Sequence, residues 1–197
     1  SAPKLISVIV PTYNRPDRLA HCLEALAAQT YPAFEVVISD DGSSPPAEAV
    51  AEAFRGRMKI RVHRQANAGP AAARNAAAAL ATGEWLAFTD DDCRPHPDWL
   101  SHLAQAMTQA PDALLGGVSE NAVTEALCSE ASQGIVQFLY DHAGARGQAF
   151  EFFTSNNMAC ARERFLQIGG FDPSFPLAAG EDRDFGIRWG RSGGQLI

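Results

Sequence analysis

An α/β fold, with a mostly parallel central sheet and helices on both faces, follows from three features of the sequence. Short β-rich runs alternate with helical patterns through the first half, as crossover connections between parallel strands require. The run LISVIV, residues 5–10, is almost continuously apolar, as suits a strand covered on both faces. Polar clusters follow three of the strand runs, at residues 12–14, 40–43 and 90–92. In parallel sheets that edge is where ligands bind, so clusters dispersed in sequence are expected to converge in space.

The elements follow in order. After LISVIV, the segment PTYNRPDRLAHCLEALAAQ breaks at Pro11 and Asn14 and then sets Leu19, Cys22, Leu23 and Leu26 on one helical stripe. FEVVISDDGSS is a second strand ending in two carboxylates and a glycine turn, PPAEAVAEAF a short helix, and MKIRVHR a third, alternating strand. NAGPAAARNAAAALATG places Pro70 at a favourable first helical position, continues as a tightly packed alanine-rich helix, and is expected to close at Gly83. EWLAFT is the fourth strand and HPDWLSHLAQAMTQ the next helix. Beyond Pro111 the pattern loosens. ALLGGVS reads as a strand, EALCSEASQGIVQFLYDH as an irregular amphipathic helix and AGARGQ as a loop. NNMACAR is a strand leading into a helix through ERFLQIGGFD, and GEDRDFGIRWGRSG is a helix closed by Gly193 and Gly194. There is no internal repeat.

A length of 197 residues suits one domain with a sizeable core, and 46% hydrophobic with 20% charged residues is globular rather than disordered. The net charge of −7, with 16 scattered Lys and Arg, disfavours nucleic acid or an acidic membrane surface as partner, so an anionic ligand needs local help. Cys22, Cys93, Cys128 and Cys160 form no C-x-x-C pair and read as reduced, small hydrophobes. No stretch reaches the roughly 18 apolar residues of a membrane span. The expected location is cytoplasmic, or peripheral to the inner face of a membrane. Ser1 and Ala2 in place of an initiator Met point to a processed or recombinant N-terminus.

Asp90, Asp91 and Asp92 directly follow the apolar strand LAFT. Two carboxylates about 4 Å apart repel by roughly 1 kcal/mol in water and by several times that in a partly excluded cleft. A hard divalent cation offsets this, and Mg²⁺ or Mn²⁺ is typically held by one or two carboxylates plus substrate phosphates. If the segment stays extended, Asp90 and Asp92 point to one side and Asp91 to the other. The plainer alternative is a solvated acidic turn before the helix near Pro97, and the triplet alone does not separate the two.

The combination does. VIVPTYNRP, ISDDGSS, NAGPAAARN, LAFTDDDC, GGFD and GEDRDFGIRW occur in this order, and together they closely resemble the family-2 glycosyltransferases, over a span from Ser7 to Gly194. The resemblance implies a GT-A fold, with a Rossmann-like, mostly parallel sheet. It also implies a nucleotide-sugar-binding half, residues 1–110, and an acceptor and catalytic-base half, residues 111–197. Pro11, Thr12 and Tyr13 match the loop beside the nucleotide base, and Asp41 matches the base-binding aspartate, with Asp40 as a lesser candidate. A carboxylate suits that task because it accepts a hydrogen bond from a ring N–H such as uracil's. Arg74 matches the arginine of the family's G-x-x-x-A-R-N segment, in reach of the nucleotide or its phosphates. Asp90 and Asp92 match the D-x-D that holds Mg²⁺ or Mn²⁺ against the donor's diphosphate, and Asp91 falls with the nucleotide-binding residues. Asp182 matches the catalytic base of the E-D pair, with Glu181 as its understudy. Without the resemblance, Glu181 and Asp182 are ordinary acidic first-turn residues, Asp40 to Ser43 an Asp-Gly turn, and Arg74 a surface ion-pair residue.

The implied reaction is transfer of a sugar from a nucleotide-diphosphate donor, UDP-linked, to a hydroxyl of a carbohydrate or lipid-linked acceptor, with inversion. Asn156 and Asn157 match positions near the donor sugar or acceptor. Trp85, Trp99 and Trp189 are expected in the core, and His96 as a helix-start residue. Residues 143–149 have the composition of a mobile lid. Two readings compete with transfer: a nucleotide-sugar-binding module without turnover, and a nucleotidyltransferase. The second lacks a G-x-G-rich, lysine-bearing loop after the first strand. Many family members carry a metal-completing histidine after the E-D helix, whereas here no His follows Glu181 and the chain stops at GGQLI. Leu196 and Ile197 read as the start of a further strand, so a fragment of a longer protein is the favoured expectation.

Overall fold

The computed structural model describes residues 2–120, 152–175 and 180–197. Four strands come from the first half: β1 (Ile6–Thr12), β2 (Phe34–Asp40), β3 (Ile60–Arg64) and β4 (Trp85–Thr89). β5 (Leu115–Gly116) and β6 (Asn157–Ala161) complete a sheet of order β3-β2-β1-β4-β6-β5. The first four strands run parallel, and β6 is antiparallel to β4 and to β5. The fold is α/β, as the alternating pattern requires.

The helices divide between the faces. α1 (Pro16–Ala27) and α4 (Trp99–Gln109) bury Leu19, Cys22, Leu23, Leu26, Leu100 and Met107 against Val8, Val10, Val36 and Ile38. α3 (Pro70–Leu80) buries Ala71, Ala77 and Ala78 against Ile9 and Val37 on the opposite face. Side chains alternate across a strand, so Val8 and Ile9 serve different layers, which is why the strands read as unbroken apolar runs. α5 (Arg162–Ile168) and α6 (Glu181–Arg191) share that second layer through an aromatic cluster of Phe88, Phe165, Phe171, Phe185 and Trp189. Neighbouring rings there lie 5.0–5.8 Å apart, the range of favourable tilted and edge contacts. The short α2 (Glu48–Glu52) packs beside α1.

Several expectations are refined. Gly83 does not cap α3, which ends at Leu80 with Ala81 already extended. A Cβ on Gly83 would stand 2.6 Å from the Leu5 carbonyl oxygen and 2.8 Å from the Ser7 nitrogen, so this glycine is needed for close approach to β1. The strand expected over residues 113–119 reduces to Leu115–Gly116, because Gly116 and Gly117 lie against Phe153 and Asn157, where a Cβ would clash. Residues 195–197 pair with 114–116 through Leu114 N–H to the Gln195 carbonyl and Gly116 N–H to the Ile197 carbonyl. Trp85 and Trp189 are buried, and Trp99 is half-buried with its Nε1 donating to Asn157 Oδ1 at 2.9 Å. Cys22, Cys93 and Cys160 are free thiols. The helix expected at residues 125–142, Cys128 and the lid at 143–149 lie outside the described residues. Among the described residues, no helix is long and apolar enough to cross a membrane.

Candidate active site

Parallel strands deliver their C-terminal ends to one edge. The β1–β2 register pairs Thr12 with Asp40, and the two following loops are stitched together: Asn14 N–H donates to Ser43 Oγ at 3.0 Å, and Ser44 N–H to Asn14 Oδ1 at 2.7 Å. Asn14 adopts φ 54°, a left-handed conformation that Asn tolerates better than most residues, and this turns the chain after Tyr13. Tyr13 is left about half exposed.

Asp40 and Asp41 are both buried and do different work. Asp40 accepts from Ser43 N–H at 2.8 Å and Ala47 N–H at 3.0 Å, so its carboxylate builds its own turn. Asp41 reaches the β3–α3 loop, accepting from Gln65 Nε2 at 2.8 Å, Ala68 N–H at 2.9 Å and Gly69 N–H at 3.0 Å. An ionised carboxylate has about four acceptor sites, so Asp41 retains room for one more donor.

The aspartate triplet is not extended. β4 ends at Thr89 and the chain turns, so the three side chains do not alternate across a plane as expected. Asp91 is buried, taking the Thr12 hydroxyl at 2.7 Å and Arg15 Nη1 at 3.2 Å, and burial pushes its carboxyl above the usual range despite these partners. Asp92 is exposed and meets Arg18 Nη1 at 3.1 Å and Arg15 Nη1 at 3.5 Å. Asp90 faces the other way, toward Arg74 Nη2 at 2.7 Å.

Arg74, only 3% exposed, bridges Asp90 and Glu181, meeting Glu181 Oε1 at 3.2 Å. The pairing of Asp90 and Glu181 with one guanidinium brings sequence positions 90 and 181 into a single cluster. Asn75, the next residue, clamps Phe171 by two hydrogen bonds: its Nδ2 donates to the Phe171 carbonyl and its Oδ1 accepts the Phe171 N–H. Gly170, at φ 66°, leaves the space this clamp needs, for a Cβ there would lie 2.5 Å from Asn75 Oδ1. The A-R-N and G-G-F-D segments are thus two halves of one contact.

Because β6 is antiparallel to β4, its start lies beside the end of β4, with Asn157 opposite Thr89. That brings Thr154, Ser155 and Asn156 to a cleft of about 190 Å³ also lined by Arg74, Asp90, Glu181 and Asp182. Asp182 stands in the first turn of α6, after Gly180 at φ 98°. Burial raises its carboxyl above the ordinary range, opposed by backbone N–H groups of Arg183 and Ser155 and by the charge of Arg74. Asn157 is occupied elsewhere, with Trp99 and the Val118 carbonyl.

The predicted residues therefore fall into two groups on one edge. Pro11, Thr12, Tyr13, Asp41, Asp91 and Asp92 lie around the β1 and β2 loops, while Arg74, Asp90, Glu181 and Asp182 line the cleft. Sequence reasoning passed over Arg15, Arg18, Gln65, Thr154 and Ser155. Arg15 lies inside VIVPTYNRP, and the other four lie within two residues of a segment or residue singled out above, so proximity is the available signal.

The comparison with protein families fits this arrangement: the family model described as "Glycosyl transferase family 2" matches residues 7–166. The chain belongs to this family. Among curated glycosyltransferase relatives, AglE of Haloferax volcanii is 30% identical over 158 residues, 78% of this chain and 46% of the relative. A validoxylamine A glucosyltransferase of Streptomyces hygroscopicus subsp. jinggangensis is 31% identical over 214 residues, covering 93% and 51%. Of solved structures, a mannosyltransferase from Pyrobaculum calidifontis in complex with GDP-Man and Mn²⁺ shares the fold at TM-score 0.80 and 22% identity, over all of this chain and 55% of that one. TarS of S. aureus in complex with UDP-GlcNAc matches at TM-score 0.70 and 25% identity, over 93% and 52%. The chain spans about half the length of these relatives. The family-2 glycosyltransferase chain thus has the GT-A fold its motifs imply.

Proposed function

We propose that this glycosyltransferase moves a sugar from a UDP-linked donor to an acceptor hydroxyl by single displacement with inversion, using Asp182 as general base and a divalent cation. The observation that carries the reading is the shared cleft: Asp90, at the end of a nucleotide-side strand, and Asp182, at the start of α6, line one cavity of about 190 Å³. A base has to be poised between holding and releasing a proton near neutral pH, and a carboxyl raised by burial moves in that direction. Asp182 takes the proton from the acceptor hydroxyl as that oxygen attacks the anomeric carbon. The bond from that carbon to the diphosphate oxygen breaks, and the leaving group keeps the electron pair. Asp41 offers its remaining acceptor site to the base's ring N–H, and the half-exposed Tyr13, with Pro11 and Thr12, forms the adjoining wall.

Among the described residues, no three His, Cys, Asp or Glu side chains form a ready-made metal cage. Mg²⁺ and Mn²⁺ are commonly held by one or two carboxylates and completed by phosphates and water. Asp90 on the cleft would hold the ion, and Asp92, which here faces Arg15 and Arg18, would join it only on leaving those partners; such an ion would stabilise charge on the departing diphosphate. The two GT-A neighbours, one holding GDP-Man with Mn²⁺ and one holding UDP-GlcNAc, support a nucleotide-sugar donor.

Calorimetry with UDP and Mn²⁺ on the Asp182→Asn and Asp92→Asn proteins tests these roles. Asp182→Asn should bind UDP normally and lose transfer, and persistent transfer moves the role to Glu181. Asp92→Asn should lose the Mn²⁺ dependence of UDP binding, and an unchanged affinity defeats the metal assignment. Binding of UDP-GlcNAc or GDP-mannose with no release of sugar by the unaltered chain would mark a binding module.

A further inference from the structure

The family resemblance gives Arg74 to the nucleotide, yet its guanidinium is committed inside the protein. Nη2 meets Asp90 Oδ1 at 2.7 Å and Nη1 meets Glu181 Oε1 at 3.2 Å, with the side chain 4% exposed. Its guanidinium carbon lies 5.8 Å from the centroid of Phe171, the ring clamped by Asn75. Burial alone would lower the Arg74 pKa, but Asp90 and Glu181 hold it above its ordinary value. Turning the guanidinium toward a nucleotide would leave the buried Glu181 uncompensated, a strongly unfavourable state. Among the described residues Glu181 Oε2 has no hydrogen-bond partner, and Arg74 is the cation paired with this carboxylate.

We propose that Arg74 is a positioning residue: its planar fork fixes Asp90 at the end of β4 and Glu181 in the first turn of α6 at one separation, and so sets where Asp182 stands relative to the donor side of the cleft, without touching the nucleotide. Asp90 and Glu181 come from opposite halves of the chain, and among the described residues Arg74 alone pairs with both. An arginine suits this task where a lysine does not, since a single ammonium cannot present two pairs of donors in fixed directions. The inference rests on the reading of Asp182 as base, because only then does the placement of α6 govern the reaction.

The test uses Arg74→Gln and Arg74→Lys. It measures UDP affinity by calorimetry in EDTA, where Asp90 has no metal to hold, hydrogen exchange of the amides of residues 181–185, and turnover of whichever of UDP-GlcNAc and GDP-mannose the unaltered protein consumes. For Arg74→Gln the expected result is UDP affinity within about threefold, faster exchange at the start of α6, and kcat lower by about 100-fold with KM little changed. Arg74→Lys, able to meet one carboxylate at a time, should recover about a tenth of the lost rate. A fall in UDP affinity of about tenfold or more with exchange at 181–185 unchanged overturns the proposal and restores Arg74 as a nucleotide ligand. Binding and exchange decide this even where neither sugar nucleotide is consumed. If Arg74→Gln fails to fold, Arg74→Lys carries the test, with UDP affinity retained and exchange at residues 181–185 faster than in the unaltered protein. Exchange and turnover as in the unaltered protein would then overturn the proposal. Failure of the base assignment is separate, since transfer by Asp182→Asn would defeat that reading and leave the binding and exchange results standing.

Discussion

Glu35 and Glu181 are buried at opposite ends of the sheet, 1% and 3% exposed, and their surroundings differ in kind. Glu35, near the start of β2, has Oε1 accepting from Ser7 Oγ at 2.8 Å and from both the backbone N–H and the hydroxyl of Thr82 at 2.7 Å, while Oε2 meets Lys59 Nζ at 2.8 Å. This carboxylate ties β1, β2 and the turn before β4 into one knot. Glu181 has one guanidinium shared with Asp90; among the described residues neither its Oε2 nor that of Glu35 has a hydrogen-bond partner, but the Glu35 oxygen has Lys59 Nζ at 2.8 Å. Glu35 thus has three hydrogen-bond donors and a cation of its own, whereas Glu181 shares its one guanidinium, so the first carboxylate is the better compensated of the two. Burial opposes the charge of Glu35, yet Lys59, Thr82 and Ser7 drive its pKa down to about 2, whereas at the other edge burial drives Asp182 up.

The largest effect expected from breaking this contrast is at the C-terminal edge. Asp182→Asn should lower kcat by about 1,000-fold, within the range that general-base catalysis supplies, and shift unfolding free energy by no more than about 0.5 kcal/mol. Steady-state kinetics beside urea denaturation give both numbers. The acid limb of the kcat/KM profile should lie above the ordinary carboxylate range, because the base works only when ionised and its proton is held more tightly than usual. A limb near or below pH 4 would remove Asp182 from that role.

At the opposite edge the balance reverses. Glu35→Ala should cost about 3 kcal/mol by orphaning the Ser7 and Thr82 donors, while UDP binding to the folded fraction stays unchanged. The pH dependence has a definite sign. Glu35 has its folded pKa depressed from 4.5 to about 2, so its contribution is fully present above about pH 4.5 and is lost as pH falls through about 2. Glu35→Gln should flatten that part of the stability profile, and an unchanged acid slope between those pH values would show that other carboxylates dominate it.

The contrast also separates what the sequence makes legible from what it hides. β1 and β4 are recognisable because both faces of each strand are covered, so apolar residues run without alternation, and α3 announces itself through Pro70 and its alanines. The six motifs mark the functional edge because each sits where a strand meets a loop or a helix begins. Contacts between motifs carry no such local signature. Nothing near position 74 indicates that Arg74 will be buried between residues 90 and 181, or that Asn75 will clamp Phe171. The alternation expected for Asp90, Asp91 and Asp92 fails for a related reason: the extended backbone ends at Thr89, and the turn sends Asp90 to Arg74 while Asp91 and Asp92 both meet Arg15, Asp92 also meeting Arg18. Glu35 also has no local signal, since its hydrogen-bond partners Ser7 and Thr82 lie 28 residues upstream and 47 downstream.

The smallest effect belongs to Arg18, which sharpens the comparison from the solvent side. Its ion pair with Asp92 is 3.1 Å long, but the two side chains are 60% and 41% exposed, so water and salt compete for both. Arg18→Gln should therefore change unfolding free energy by less than about 0.5 kcal/mol, with any change vanishing in high salt. If Asp92 takes part in the proposed metal site, removing the guanidinium also removes a cation with which the ion would compete. Mn²⁺ affinity measured with UDP should then tighten by a few-fold at low salt, the size expected for one charge at about 4 Å in water. If Asp92 holds no metal, the same titration should show no change, while the Arg18→Gln protein keeps the stability of its parent.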